Sequence, residues 1–183
     1  MKVIIFHGWG STSEDNWFPW LAAELKKTHI KVLLPDLPNS QHPKEKDWIN
    51  TALHLTKYDD ETVLVGHSLG CVLIMRLLER LGKKIKAAFL VSGFDNDLGI
   101  PELKSFFERD FYYQLIKDNA GKIVMLNSDD DPSISMEVAE RLAKNLDCQL
   151  IVYKNKGHLS GGTGDMRFPE LLEMILNEDN KNK

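Results

Sequence analysis

Residue types that together carry out nucleophilic acyl transfer occur in this chain in a telling order. Ser68 stands inside Gly66-His67-Ser68-Leu69-Gly70. Aspartates follow at Asp95 and at Asp129, Asp130 and Asp131, and His158 comes last, after Gly157. A serine hydroxyl is a poor nucleophile until a neutral imidazole takes its proton. The imidazole needs a carboxylate on its other nitrogen, which fixes the tautomer and stabilises the imidazolium. Charge developing on the attacked oxygen needs N–H donors already aimed at it. The pentapeptide fits Gly-x-Ser-x-Gly, a strand-to-helix turn with the serine at its apex. Alone it is a weak pattern, which an ordinary glycine-flanked turn would also match. Its flanks add weight: Val63 to Val65 is a short apolar run, and Leu69, Val72, Leu73, Leu77 and Leu78 follow at helical spacing.

The rest of the chain must bring the other candidates to the same place. Short apolar runs predict strands at 2–6, 31–34, 62–65, 86–91, 122–126 and 148–153. Helices are predicted from Trp17 to Leu25, capped by Asp15 or Asn16, and at 45–57, 69–81, 101–119, 136–145 and 168–177. Residues 177–183 read as a polar, frayed tail. None of the strands alternates cleanly with polar residues, so both faces of the sheet are covered. The expectation is an α/β fold over residues 1–176 as one domain: a six-stranded parallel sheet, right-handed crossovers and helices on both faces.

In such a sheet, sites form at the carboxyl ends of strands. His7-Gly8-Trp9 follows the first strand, Ser68 the third, Asp95 the fourth, Asp129 to Asp131 the fifth and His158 the sixth. The backbone N–H groups of Leu69 and Trp9 are the candidate oxyanion donors. His7 is expected to order its loop and His67 to pack inward. Four aspartates compete as partner of His158. The fifth strand is favoured because sequential strands would put its loop beside that of the sixth. Within the trio, Pro132 restrains Asp131 and starts the next helix, which can hold that carboxylate sideways. Trp17, Phe106 and Phe107 are candidates for a substrate pocket as well as for core packing. Gly161-Gly162-Thr163-Gly164 reads as a mobile loop beside the site; it opens no helix and so is not a phosphate cradle.

Bulk properties exclude other classes. The chain of 183 residues is 43% apolar and 27% charged, an ordinary globular composition. A net charge of -4 without a Lys/Arg block argues against nucleic acid as partner. No run approaches the roughly 20 apolar residues that cross a bilayer, and no signal-peptide apolar region opens the chain. Cys71 and Cys148 form neither a disulfide framework nor a metal cluster, which suits a reducing, cytoplasmic setting. The acidic trio lacks calcium-loop spacing, so no metal is expected.

With these residues in view, the chain resembles the small α/β-hydrolase family typified by retinoblastoma-binding protein 9 and the YdeN-like bacterial serine hydrolases. The resemblance runs from Met1 to about Leu176. It rests on the first strand opening into His7-Gly8-Trp9, on Gly66-His67-Ser68-Leu69-Gly70, on Ser128-Asp129-Asp130-Asp131-Pro132 and on Gly157-His158. It implies a compact α/β-hydrolase fold with little or no lid, a triad of Ser68, Asp131 and His158, and cofactor-free hydrolysis of an ester or amide. A carboxylesterase acting on small acyl esters is the simplest version, and an amide- or aminoacyl-cleaving peptidase and a thioesterase are variants of it. A non-catalytic interaction module on the same fold is the alternative of another class. The chain lacks a Leu-x-Cys-x-Glu motif, so a retinoblastoma-type partner is not supported.

Overall fold

Strands form where the apolar runs lie: β1 Lys2–Phe6, β2 Lys31–Leu33, β3 Thr62–His67, β4 Ala87–Val91, β5 Ile123–Ser128 and β6 Gln149–Tyr153. The helices are α1 Phe18–Lys27, α2 Glu45–Leu55, α3 Leu69–Leu81, α4 Tyr113–Asp118, α5 Met136–Leu146 and α6 Pro169–Asn180. The structure is a computed structural model and describes residues 1–161 and 167–180. Gly162, Thr163 and Gly164 of the expected loop, and residues 181–183 of the expected tail, lie outside the described residues.

All pairings are parallel, in the order β2-β1-β3-β4-β5-β6. The chain builds outward from β1 to β2, then crosses back to β3 and runs sequentially to β6. The crevice at that reversal, between the carboxyl ends of β1 and β3, is where sheets of this kind place their ligands. Successive side chains point to opposite faces. Val3, Ile5, Val63, Val65, Ala87, Phe89 and Val91 therefore pack with Phe18, Leu21, Leu171 and Ile175 of α1 and α6. Ile4, Phe6, Leu64, Ala88, Leu90 and Met125 pack on the other face with residues of α2, α3, α4 and α5. Nothing polar interrupts either layer in the central strands, which explains why they read as continuous apolar runs.

Three expectations need correction. Neither Asp15 nor Asn16 caps α1, because the helix starts at Phe18 with Trp17 in the N-cap position and no side-chain cap bond. Residues 101–119 do not form one helix: a 3-10 turn covers Pro101–Phe106, and only Tyr113–Asp118 is α-helical. The cause is Arg76 on α3, whose fully buried guanidinium takes the carbonyls of Phe106, Arg109 and Asp110. Those oxygens are thereby turned away from helical i to i+4 bonding, and Phe111 lies across the guanidinium at 3.7 Å. The segment is tied down onto α3, and among the described residues no lid covers the crevice. The C-terminal residues also depart from expectation, because α6 continues past Asn177 to Asn180. Glu178 is buried and pairs with Lys122 at 2.8 Å, which anchors that last turn to the start of β5.

Candidate active site

Ser68 follows β3 without an intervening residue and caps α3. Its backbone has φ 55° and ψ -121°, a sparsely populated conformation for a residue with a side chain. Two glycines make it feasible. A Cβ on Gly70 would lie 2.3 Å from the Phe6 carbonyl oxygen, and one on Gly66 would lie 2.7 Å from Gly70 and Cys71 backbone. Strand and helix thus pass too closely for any other residue type. The Ser68 N–H donates to Val91 O at 2.9 Å, and its carbonyl accepts from Cys71 N–H at 2.9 Å.

The loop after β1 faces this turn. His7 is fully buried; its Nδ1–H donates to Gly8 O at 2.9 Å, and its Nε2 accepts from Leu37 N–H at 2.8 Å. Both ring nitrogens are committed in the neutral form, and burial holds the imidazole below its ordinary pKa against smaller opposing effects of Gly8 and Asp36. His7 orders its loop, as the sequence suggests. Gly10 N–H donates to Ser40 O at 2.8 Å, and the half-exposed Trp9 ring donates from Nε1 to Gln41 O at 2.9 Å. The backbone N–H groups of Trp9 and Leu69 meet no protein acceptor among the described residues.

His158 meets Asp131. Its Nδ1 lies 2.8 Å from one carboxylate oxygen and 3.0 Å from the other. A carboxylate only accepts, so Nδ1 carries a proton, and in the neutral imidazole Nε2 is the nitrogen with the free lone pair. The Asp131 side chain is wholly buried. Burial pushes its pKa up, but the His158 bond and charge and the N–H groups of Ser133 and Ile134 outweigh it, and the net shift is downward. Ser68 and His158 line one open cleft with Gly8, Trp9, Ser160 and Gly161. No hydrogen bond joins Ser68 Oγ to the imidazole among the described residues; such contacts often tighten only when a reacting group is bound.

The other three aspartates are engaged elsewhere. Asp95 accepts from Tyr113 Oη at 2.8 Å and pairs with Arg141. Asp129 Oδ1 accepts from Asn155 N–H at 2.9 Å, and Asp130 Oδ1 from Gly157 N–H at 2.7 Å. Between them, Ser128 Oγ accepts from Lys156 N–H at 2.9 Å. Four consecutive residues, Ser128 to Asp131, thus bond four consecutive residues, Asn155 to His158. The sequence offered the acids only as alternatives for one role, and a loop-gripping role for Ser128, Asp129 and Asp130 was missed. Four polar residues at the end of a strand, opposite a Gly-His turn, are the signal that was available.

The three pocket candidates separate. Trp17 is buried beneath the cleft, where its Nε1 donates to Leu159 O at 2.9 Å and its ring meets His67 and Phe168 edge-on. With Tyr153, Leu159, Ser160 and Phe168 it lines a small cavity of about 180 Å³ that shares Ser160 with the cleft. Phe106 is fully buried, edge-on to Trp48 in the core, and lines neither this cleft nor the cavity beside it. Phe107 lines a separate cleft with Asp95 and Phe111. None of the three is in the wall of the cleft that holds Ser68. Among the described residues no three His, Cys, Asp or Glu side chains are grouped to hold a metal, and no helix is long and apolar enough to cross a membrane.

The serine hydrolase family model matches residues 3–177. The hydrolase YdeN of Bacillus subtilis is 31% identical over 95% of this chain and 94% of its own. Its crystal structure superposes with a TM-score of 0.91 at 30% identity, covering 98% of each chain. The serine hydrolase RBBP9 of Rattus norvegicus is 27% identical over 94% of this chain and 91% of its own. Alpha/beta hydrolase domain-containing protein 10 from mouse shares the fold, with a TM-score of 0.72 at 15% identity, over 100% of this chain and 90% of that one.

Proposed function

Because this chain belongs to the serine hydrolase family and has the α/β-hydrolase fold, we propose that it hydrolyses a small ester through Ser68, His158 and Asp131. Ser68 Oγ attacks the ester carbonyl while His158 Nε2 takes its proton. The backbone N–H groups of Leu69 and Trp9 receive the oxyanion. His158 returns the proton to the leaving alcohol, and an acyl-enzyme remains on Ser68. Water, deprotonated by the same imidazole, then releases the acid and frees the serine. Asp131 stays ionised throughout and steadies the imidazolium.

The observation that carries this reading is the Asp131–His158 pair, which commits Nδ1 as a donor and so, in the neutral imidazole, makes Nε2 the acceptor in the cleft of the strained serine. Preference for small esters is supported by the open cleft, over which no lid lies among the described residues, and by the small cavity of mixed lining, with Trp17 and Phe168 beside Lys156, Arg167 and Glu170, that adjoins it at Ser160. The His7 bond to Gly8 O supports the oxyanion role of Trp9, because the next N–H lies in the same peptide plane and points the opposite way.

The test has two parts. A fluorophosphonate probe should label the wild-type protein at Ser68; no labelling would leave a non-catalytic interaction module as the reading. Rates on a series of acyl esters of increasing chain length, beside matched amides, aminoacyl amides and thioesters, should favour the short esters. A clear preference for an amide or thioester would keep the triad and replace the substrate class.

A further inference from the structure

The carbonyl oxygen of His158 accepts two side-chain hydrogen bonds, from His67 Nε2 at 2.9 Å and from Ser92 Oγ at 3.0 Å. Both donors are buried, His67 at 4% exposure and Ser92 at 0%. Both also adjoin the reacting serine through the backbone. His67 immediately precedes Ser68, and Ser92 follows Val91, whose carbonyl holds the Ser68 N–H.

The tautomer of His67 follows from the geometry. A carbonyl only accepts, so Nε2 carries the proton. Nδ1 is then an acceptor, and it is buried with no hydrogen-bond partner among the described residues. Burial first, and the neighbouring His158 second, push His67 down to about 3, so the ring remains a neutral donor at ordinary pH. Trp17 and Phe18 wedge the ring from two sides, with centroids 6.1 and 5.8 Å away. Ser92 adds a further sign of constraint: it is a fully buried non-glycine residue at φ 52°, with its N–H tied to Leu126 O. A left-handed serine and an orphaned ring nitrogen are both unfavourable locally, and they converge on one oxygen.

We infer that His67 and Ser92 are positioning residues that lock the main chain of His158 to β3 and β4, and so set the reach from the imidazole to Ser68. This inference rests on the proposed roles of Ser68 and His158. The physical need is plain. His158 sits on a loop beyond β6, an edge strand whose Val152 is 44% exposed, whereas Ser68 sits in the middle of the sheet. Asp131 fixes the orientation of the ring but belongs to the neighbouring loop. The two bonds to His158 O tie the base directly to the elements that hold the nucleophile.

The experiment uses His67→Phe, which keeps ring volume and removes the donor; His67→Gln, which restores an N–H near the Nε2 position; and Ser92→Ala. Active sites are titrated with the fluorophosphonate, melting temperatures are recorded, and kcat and KM are measured per active site. His67→Phe and Ser92→Ala should each lower kcat about tenfold or more with KM little changed, and His67→Gln should recover part of the loss. In a His158→Ala background, His67→Phe should cause no further loss, because nothing remains for it to position. Unchanged kcat per titrated site in both His67→Phe and Ser92→Ala would overturn the inference. So would an equal fold loss with and without His158. If His67→Phe does not fold, the same comparison is made with Ser92→Ala. A Ser68→Ala variant that still labels, or a His158→Ala variant with wild-type turnover, would instead remove the site reading on which the inference rests.

Discussion

The two sides of the cleft are held by different physics. The side of the proposed nucleophile, from β1 to the start of α3, is a steric construction. Backbone passes backbone at distances that only Gly66 and Gly70 tolerate, and Ser68 is forced into its conformation by what surrounds it. The side of the proposed base, between β5 and β6, is a construction of hydrogen bonds. Ser128 to Asp131 grip Asn155 to His158 residue by residue, and Trp17, His67 and Ser92 take the carbonyls that follow. A steric construction fails as a whole when one atom is added. A hydrogen-bonded one loosens bond by bond, with the fold intact. Substitutions on the first side should therefore register in stability or abolish the reaction, and those on the second in rate.

The largest effect is expected at the apex itself. Ser68→Ala should lose fluorophosphonate labelling and reduce ester turnover on the order of 10⁶-fold, leaving residual catalysis by binding and oxyanion donors. Asp131→Asn comes next. It preserves shape but supports the wrong imidazole tautomer, and should lower kcat on the order of 10⁴-fold with the melting curve little changed. Asp95→Asn is its control, since Asp95 is engaged by Arg141 and Tyr113. If Asp95→Asn collapsed while Asp131→Asn stayed near wild type, the base side would have been assigned to the wrong strand.

Gly70→Ala tests the steric side. Its methyl group would lie 2.3 Å from Phe6 O, so strand and helix must separate. A loss of several kcal/mol in denaturant unfolding is expected, among the larger single-residue effects. Gly82→Ala, with nothing within 4 Å of the added atom and φ 56°, should cost only about 1 kcal/mol, from backbone strain. Equal losses at the two glycines would deny that close backbone approach is what requires Gly70. Asp130→Asn removes a carboxylate that accepts from Gly157 N–H and Ser128 Oγ. It should slow turnover by less than about tenfold, by loosening the loop without touching the imidazole.

The smallest effect is a pH dependence of stability. Asp131 titrates lower in the folded chain than when unfolded. Between those two values the unfolded chain binds more protons, so stability rises with pH there. The contribution of Asp131 is present above the ordinary carboxylate value of about 3.9 and is lost as pH falls through the folded one. Denaturation midpoints of wild type and Asp131→Asn, compared at about pH 6 and about pH 3, should converge on the acid side. A gap that widened towards acid would reverse the sign argued here.

The same contrast explains what could be read from the chain. Strands β1, β3, β4 and β5 are buried on both faces, so their apolar runs are unbroken and their places were plain. The strand-to-helix turn at Ser68 was legible because close approach demands glycine at particular positions, and a demand on residue type is written in sequence. Arg76 misled the reading of 101–119. The stem of Arg76 can join the apolar run of its helix, but nothing local shows that its guanidinium will be buried and collect three carbonyls from a distant segment. The last turn of α6 was misread for the same reason, since Glu178 looks like tail composition until Lys122 arrives beside it.

By itself, then, the sequence determined the α/β class, the strand–turn–helix around Ser68, and the order in which serine, aspartates and histidine reach the carboxyl edge. Periodicity and glycine placement are local properties, and they survive in one dimension. Only the tertiary structure decided how four similar aspartates divide, with Asp131 on the imidazole, Asp129 and Asp130 on backbone N–H groups and Asp95 on Arg141. It also decided that His67 turns Nε2 onto the carbonyl of a residue 91 positions away. An aspartate has the same chemistry at each of these places. What distinguishes them is which donor stands within about 3 Å, and that is set by how β4, β5 and β6 lie side by side.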